Sequence, residues 1–319
     1  MSLSATVIVP TVGAERAIRL LESLARAGGE FETIVVDNGT GAPELDRATS
    51  LLAAAEVLRL ESNVGYSRAV NIGARRAEGQ VLILLNDDSV VDPDYVERIT
   101  AALDPGSGVV MAAGVMRDAG SPGQIETAGI EIDRTLLAFD YLNGAPLELL
   151  EGAVPDPIGP SGAVAAFWRE AFTESGGFDE GLFAYGEDVD LVLRLRVAGG
   201  SCRLAKSALG LHEHSATLGS GSARKDFLMG YGRGYLLRKW GVLAPRRLPA
   251  VLARELTWVA GQAVVDRNLG GLRGRVRGLR AARRSEPYPP ADLLPDPPSL
   301  GSTLSRRWRR RARLRRRSD

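Results

Sequence analysis

Cysteine is almost absent from the 319-residue chain: Cys202 stands alone. A single thiol forms no internal disulfide, which excludes a disulfide-stapled scaffold and suits a reducing compartment. No uninterrupted apolar stretch reaches the roughly 18 residues that mark a membrane span. The opening MSLSATVIVP lacks a basic segment ahead of its apolar run, so it reads as a first strand and not as a signal peptide. Together these features predict a cytoplasmic protein. The 37 glycines show no three-residue period, which removes a collagen-like fold. Two nucleotide signatures are also missing. No Gly-x-Gly-x-x-Gly turn follows the first apolar run, and no Gly-Lys-Ser/Thr loop occurs anywhere, which argues against dinucleotide dehydrogenases and nucleoside triphosphatases. What remains is ordinary globular composition, 45% hydrophobic and 25% charged, in a length that suits one large domain or two smaller ones.

Lysine is scarce as well, and its distribution exposes an asymmetry. The formal net charge is +1, yet residues 1–242 hold 21 basic against 33 acidic side chains, a net of −12. Residues 243–319 hold 19 basic and 6 acidic, a net of +13, and every basic residue there is arginine. An acidic body joined to a cationic segment suggests a catalytic or binding domain with an extension that seeks anionic surfaces.

The first hundred residues alternate strand and helix patterns. Apolar runs at 6–10 (TVIVP), 33–36, 56–60 and 81–85 (VLILL) read as strands, and helical spacing appears at 15–27, 43–55, 69–77 and 93–103. Such alternation with short connections predicts a mostly parallel sheet covered on both faces, a doubly wound, Rossmann-like arrangement. Beyond residue 109 the pattern turns mixed: strands at 109–115 and 202–211, short extended pieces at 124–133, a loop at 141–160, and helices at 169–175, 188–198 and 224–240. Amphipathic helices follow at 248–265 and 272–284. Six prolines in 287–298 predict an extended linker, and nine arginines crowd 306–317.

In an open α/β sheet, ligands bind beyond the carboxyl ends of the strands. Thr11, Asp37 and the pair Asp87-Asp88 occupy such ends. Two adjacent carboxylates facing a crevice repel one another unless a cation compensates them, and Mg²⁺ or Mn²⁺ prefers oxygen ligands shared with phosphates. Alternatively, Asp88 caps the next turn. A second acidic cluster, Glu187, Asp188 and Asp190, opens a helix, where acids suit the dipole. Gly-rich turns flank it, a poor way to build a core and a plausible way to build a site, and one of its acids could serve as a general base.

The chain resembles the family 2 glycosyltransferases, particularly rhamnosyltransferase-like and related bacterial cell-envelope members. The matching pieces are VIVPTVG (7–13), VVDNGT (35–40), NVGYSRAVNIGARRAEG (63–79), LLNDDS (84–89), SGAVAAFWREAFTESGGFDE (161–180), YGEDVDLVLRLRVAGG (185–200) and LHEHSATLG (211–219), in the family's order. The resemblance implies a GT-A fold and inverting transfer of a sugar, rhamnose among the candidates, from a dTDP-, UDP- or GDP-linked donor to a glycan or polyprenyl-linked acceptor. It further implies that Asp37 contacts the nucleobase and that Thr11, Asn63, Arg68, Asn71 and Asp87 line the nucleotide-sugar site. Asn86-Asp87-Asp88 matches the metal motif with its first acid replaced by Asn, which makes Asp88 the metal ligand. His212, rather than His214, completes the Mn²⁺ or Mg²⁺ site. Asp188 matches the catalytic base, and Trp168, Gly177, Phe178, Asp179, Glu187 and Asp190 form the acceptor side. A non-catalytic relative that keeps the fold for nucleotide or glycan binding is the alternative.

The expected organisation is therefore a GT-A domain over 1–242, with a mixed acceptor-side half, an amphipathic helical extension over 243–285, and a proline-rich linker with an arginine tail over 286–319. No nucleic-acid motif precedes the tail. Amphipathic helices beside clustered arginines predict peripheral attachment to an anionic membrane surface, on the inner face of the cell membrane, with no nucleic-acid partner.

Overall fold

The computed structural model describes residues 4–212, 222–290 and 292–296; His214 and the arginine run lie outside them. The chain divides into two compact units, Met1–Glu131 with Phe139–Thr217, and Ile132–Ala138 with Leu218–Asp319. The division thus falls ahead of the helix expected at 224–240, which belongs with the helices that follow it.

Unit 1 begins with β1 (Ala5–Thr11), α1 (Ala14–Leu24), β2 (Phe31–Asn38), α2 (Glu44–Thr49), β3 (Ala55–Leu60), α3 (Tyr66–Arg76) and β4 (Val81–Leu85). β1 and β4 are buried along their whole length. That is why they read as unbroken apolar runs: a strand covered on both faces has no solvent side to mark. α1 buries Ala17, Leu20, Leu21 and Leu24, one apolar stripe at helical spacing. The helix expected at 43–55 stops at Thr49, because the backbone at 54 is recruited by the sheet: the Ala54 carbonyl accepts the Thr33 amide, and β3 begins at once.

The chain continues through β5 (Ser89–Val91), α4 (Tyr95–Ala101), β6 (Val109–Asp118), β7 (Ser121–Thr127), β8 (Ile130–Ile132), β9 (Ala138–Asp140), β10 (Val164–Trp168), α5 (Arg169–Glu174), α6 (Glu187–Val197) and β11 (Ser201–His212). The main sheet runs β3-β2-β1-β4-β10-β6-β11-β5, with β7 on β6. Its first four strands are parallel, while β10 enters antiparallel between β4 and β6. β5 was not legible as a strand; it pairs antiparallel with the end of β11, placing Ser89 opposite His212. That pairing brings the acids after β4 to the last strand of the sheet.

Unit 2 contains α7 (Ala223–Lys239), α8 (Leu248–Val265) and α9 (Gly270–Ala281). α7 and α9 meet through glycine. A Cβ at Gly234 would strike the Arg275 carbonyl, and one at Gly274 the Phe227 carbonyl. Inside this bundle Glu255 bridges two arginines, accepting from Arg233 Nε at 2.7 Å and Arg275 Nε at 2.6 Å. Arg233 also donates to the Thr135 and Leu136 carbonyls, both at 2.7 Å. A buried charge needs such saturation with partners. The described part of the proline-rich segment is docked rather than loose. Arg134 donates to the Leu294 carbonyl and pairs with Asp296, Tyr288 donates to the Arg134 carbonyl, and Leu294 is buried. Proline fixes an extended path there without preventing side-chain docking. No helix among the described residues is long and apolar enough to cross a membrane.

Candidate active site

Unit 1 gathers its chemistry at the carboxyl ends of β1, β2 and β4, as expected for an open sheet. The two acids after β4 take different partners. Asp87 is buried and accepts from Thr11 Oγ1 at 2.7 Å and from Arg16 Nη2 at 3.2 Å. Arg16 was not foreseen, because an arginine in the first turns of an amphipathic helix reads as a solvated face. Asp88 turns the other way: its Oδ1 lies 2.9 Å from His212 Nε2. The other ring nitrogen of His212 lies 3.1 Å from Glu126 Oε1, so the imidazole sits between two carboxylates. Burial alone would lower the His212 pKa. The hydrogen bonds and charges of Asp88 and Glu126 outweigh that burial and raise it to about 10. Glu126, on β7, was also missed; between Ile125 and Thr127 in a short, polar strand it carries no sequence signal.

The third acidic group enters through a backbone device. Tyr185 and Gly186 both take positive φ, 70° and 98°, immediately before α6. For a tyrosine this region is sterically unfavourable. The turn delivers Glu187 and Asp188 to the amino end of α6. Asp188 is half-buried and held from both sides, Oδ2 accepting from the Gly162 amide at 3.1 Å and Oδ1 from the Val189 amide at 2.8 Å. Burial pushes the pKa of this carboxyl up, against the lowering effect of those amides. Glu187 is pushed up to about 8, by burial first and then by the charge of Asp188. Its Oε2 is buried without a hydrogen-bond partner.

One residue ties these groups together. Tyr66, at the start of α3, donates its hydroxyl to the Gly162 carbonyl. Its pKa is raised by burial and then by the charges of Glu187, Asp188, Asp88 and Asp87. The two acidic clusters therefore share one neighbourhood, with a protonated phenol between them.

The other expected site residues divide by what they touch. Asp37 is fully buried, accepts from the Thr40 amide and hydroxyl, and pairs with Arg59 at 2.8 Å. Asn63 is exposed and accepts from the Gly65 amide. Asn71 clamps a loop, donating to the Phe178 carbonyl at 2.8 Å and accepting its amide at 2.9 Å. Arg68 is exposed and pairs with Glu180 at 3.7 Å. Trp168 donates its indole N–H to the Val109 carbonyl. Gly177 has a φ of 67° and no room for a Cβ beside Asn71, and Phe178 is buried in an aromatic cluster with Phe172 and Tyr66. Asp179 caps the Gly181 amide. Asp190 pairs with Arg194, whose guanidinium also holds the Ser175 and Gly177 carbonyls. The structure thus brings Thr11, Asp87, Asp88, His212, Glu187 and Asp188 to the acidic centre. The side chains of Asn71, Trp168, Phe178 and Asp190 are engaged with the surrounding scaffold.

A divalent cation can be tested against this chemistry. Among the described residues no group of three or more His, Cys, Asp or Glu side chains forms a complete cage. Asp88 Oδ1 and His212 Nε2 nevertheless face one another, with the second imidazole nitrogen oriented by Glu126, the carboxylate–histidine arrangement that steadies a metal-binding imidazole. Two protein ligands with the remainder supplied by phosphates and water suit Mg²⁺ or Mn²⁺. The residues fit.

Comparison with known proteins places the chain in a family. A family model described as "Glycosyl transferase family 2" matches residues 6–143, and one described as "Glycosyl transferase family group 2" matches residues 81–263. The chain is 28% identical over 202 residues to the O-antigen biosynthesis protein RfbC of Myxococcus xanthus, covering 59% of this chain and 15% of that protein. It is 26% identical over 247 residues to the pre-mycofactocin glycosyltransferase of Mycobacterium tuberculosis, covering 75% and 49%. It thus spans about half or less of the length of these relatives. In fold it is similar to GalNAc-T7 solved with UDP, GalNAc and Mn²⁺ (TM-score 0.62, 18% identity, 88% of this chain and 55% of that one). It is likewise similar to Staphylococcus aureus TarS 1–349 with UDP-GlcNAc (TM-score 0.56, 17% identity, 88% and 82%). These are GT-A glycosyltransferases, and the fold is GT-A.

Proposed function

The chain belongs to the family 2 glycosyltransferases, and on that footing we propose that unit 1 transfers a sugar from a nucleoside diphosphate to an acceptor hydroxyl with inversion at the anomeric carbon. The observation that carries this reading is Asp188. Its carboxylate is fixed by two backbone amides at the amino end of α6, and burial raises its affinity for a proton. Each oxygen keeps a second lone pair for an incoming hydroxyl. Asp188 takes the hydroxyl proton as the acceptor oxygen bonds to the anomeric carbon, and the sugar's bond to the diphosphate breaks on the opposite face. Tyr66 holds the Gly162 carbonyl and so steadies the backbone whose amide orients Asp188. Thr11 and Arg16 hold Asp87 in place beside the donor, so that Asp88 alone is turned toward His212.

Asp88 and His212 would hold Mn²⁺ or Mg²⁺, and Glu126 would orient the imidazole. Bound there, the cation supplies positive charge that stabilises the departing diphosphate. Asp37 serves the nucleobase end of the site through Thr40 and Arg59, which it holds, and Asn63 closes the adjacent turn. The acceptor is a glycan or polyprenyl-linked glycan of cell-envelope polysaccharide synthesis, a reading supported by the O-antigen biosynthesis relative. The arginine run at 306–317 attaches the chain to an anionic membrane surface at the cytoplasmic face.

A thermal-shift screen with Mn²⁺ across dTDP-, UDP- and GDP-sugars, rhamnose donors included, tests the donor. Ligand at about 100 times its dissociation constant adds roughly 2.7 kcal/mol of stability, and one nucleobase class is expected to stand out. In the matching assay, Asp188→Asn keeps donor binding and loses turnover by a factor on the order of 10² or more. Equal turnover in the variant would remove Asp188 from the base role. Donor binding without turnover in the parent chain, on any acceptor, would favour a non-catalytic relative.

A further inference from the structure

Helix α9 carries a surface that the sugar-transfer reading does not use. Its buried side, Gly270, Gly271, Gly274, Arg275 and Gly278, is consumed by packing inside unit 2. Its other side, continued by the capping Leu269, presents Leu272, Arg273, Val276, Arg277 and Arg280; counted from Leu269 these fall at i+3, i+4, i+7, i+8 and i+11, one continuous face. All six are exposed; Leu269 is 50% accessible, Leu272 42% and Val276 40%. Among the described residues, Arg273, Arg277 and Arg280 have no carboxylate partner. Between residues 267 and 285 the chain holds seven arginines and no acid.

Between this face and α7 lies an open groove of about 730 Å³, lined by Phe227, Leu272, Val276 and the three arginines, with Ala281 at its end. A second apolar stripe runs along α8. Leu252 (47% accessible), Leu256 (69%) and Val264 (77%) recur at fours and eights, and Ala260 fills the gap in the same exposed row. Scattered exposed leucines need no explanation. Two helices of one unit that both turn apolar residues outward, one of them interleaved with unpaired arginines, do.

We propose that the outer face of α9, with the groove against α7, is a docking surface for an anionic lipid bilayer. The arginines meet lipid phosphates at headgroup depth, while Leu272, Val276 and Phe227 enter the acyl boundary. Charge decides among occupants. A second copy of the chain in an isologous contact would set this acid-free arginine face against itself, which is repulsive. A soluble phosphate would use the arginines and leave the leucine and valine positions without purpose. An anionic bilayer satisfies both sets. The surface is built from described residues and is distinct in sequence from the arginine run at 306–317, so it holds whether or not that run binds lipid, and whether or not unit 1 transfers sugar.

The test is local, so that the tail cannot imitate it. Val276→Cys in the full chain is labelled with an environment-sensitive fluorophore. Cys202 is buried, and that burial raises its thiol pKa, which keeps it inert to the label. Phosphatidylcholine vesicles with 30% phosphatidylglycerol are expected to blue-shift the probe, and bromine on the acyl chains to quench it. Pure phosphatidylcholine should do neither, and a probe at Leu51→Cys on unit 1 should stay silent. Changing Arg273, Arg277 and Arg280 to Gln should weaken the response at 276 by a factor on the order of 10², at about 1 kcal/mol per arginine near the surface. A silent probe at 276 on vesicles that still co-sediment the chain would overturn the proposal. So would an equal response to uncharged vesicles, reversal by millimolar inorganic phosphate, or a blue shift without lipid accompanied by a doubled mass in sedimentation.

Discussion

Replacing Glu187 by Gln should stabilise the protein, and the gain should grow with pH. Glu187 is 7% exposed, and its pKa rises from the ordinary 4.5 to about 8, chiefly because burial penalises its charged form. The sign follows from proton linkage. A carboxyl whose folded pKa exceeds its unfolded value binds a proton more tightly in the native state. Its contribution is intact below about pH 4.5 and is lost as pH climbs to about 8. The full shift of 3.5 units corresponds to a ceiling of about 5 kcal/mol, reached only above pH 8. Glutamine matches the protonated carboxyl in shape, and its amide hydrogens would sit where Oε2 already lacks a partner. The difference in unfolding free energy between variant and parent should therefore be near zero at pH 4.5. It should increase through pH 6 and 7 and level off near pH 8.5. Urea titrations across that range, with the slopes compared to verify that the unfolding transition is the same, measure it directly. A constant difference at every pH would mean that Glu187 ionises normally in the folded protein. A variant that is destabilised most at high pH would mean that the charged form is the one the fold requires.

Two further outcomes follow from contacts in the two units. Asp88→Ala should abolish the Mn²⁺ dependence of nucleotide binding, while His212→Ala should weaken it less, since the imidazole must release the proton that Asp88 and Glu126 hold on it before it ligates, and water can take its place more readily than it can replace a carboxylate; full metal dependence in the Asp88 variant, by calorimetry, would refute the ligand assignment. Gly234→Ala should cost on the order of 2 kcal/mol, because its Cβ meets the Arg275 carbonyl, a backbone atom that cannot swing aside; an unchanged denaturation midpoint would show that α7 and α9 separate more easily than their packing implies.

The parts of the fold that were legible in the sequence are those in which one segment settles its own environment. VLILL is buried on both faces as β4 and needs no partner to be read as a strand. α1 announces itself by spacing and α6 by the acids that open it and the glycine pair that ends it, and the acids after β4 and in the first turn of α6 stand out because like charges are crowded where a ligand crevice should be. What could not be read depends on long-range pairing. Ser89–Val91 is too short to signal a strand, and it exists because the end of β11 lies beside it. That pairing is what puts His212 within hydrogen-bonding distance of Asp88. Glu126 joins them only because β7 folds back on β6, and β6 lies against β11.

The residues whose surroundings differ most from the expectation do so for the complementary reason. Asn71, Trp168 and Asp190 belong to motifs rich in site residues, yet their side chains hold backbone: the Phe178 peptide, the Val109 carbonyl and, through Arg194, the Ser175–Gly177 turn. A motif records every residue that a site requires, including those that merely fix its loops, and residue type does not separate the two. Asparagine serves equally well for clamping a peptide and for contacting a ligand, since it carries one acceptor and one donor group on a rigid amide. The distinction lies in saturation. Asn71 spends its oxygen on the Phe178 amide and its nitrogen on the Phe178 carbonyl and Glu180, which leaves it committed to the loop. Asp188 has each oxygen engaged by a single amide and retains capacity for a proton. That difference in remaining hydrogen-bonding capacity, and not the presence of the motif, is what places the general base at Asp188 in the proposed reaction.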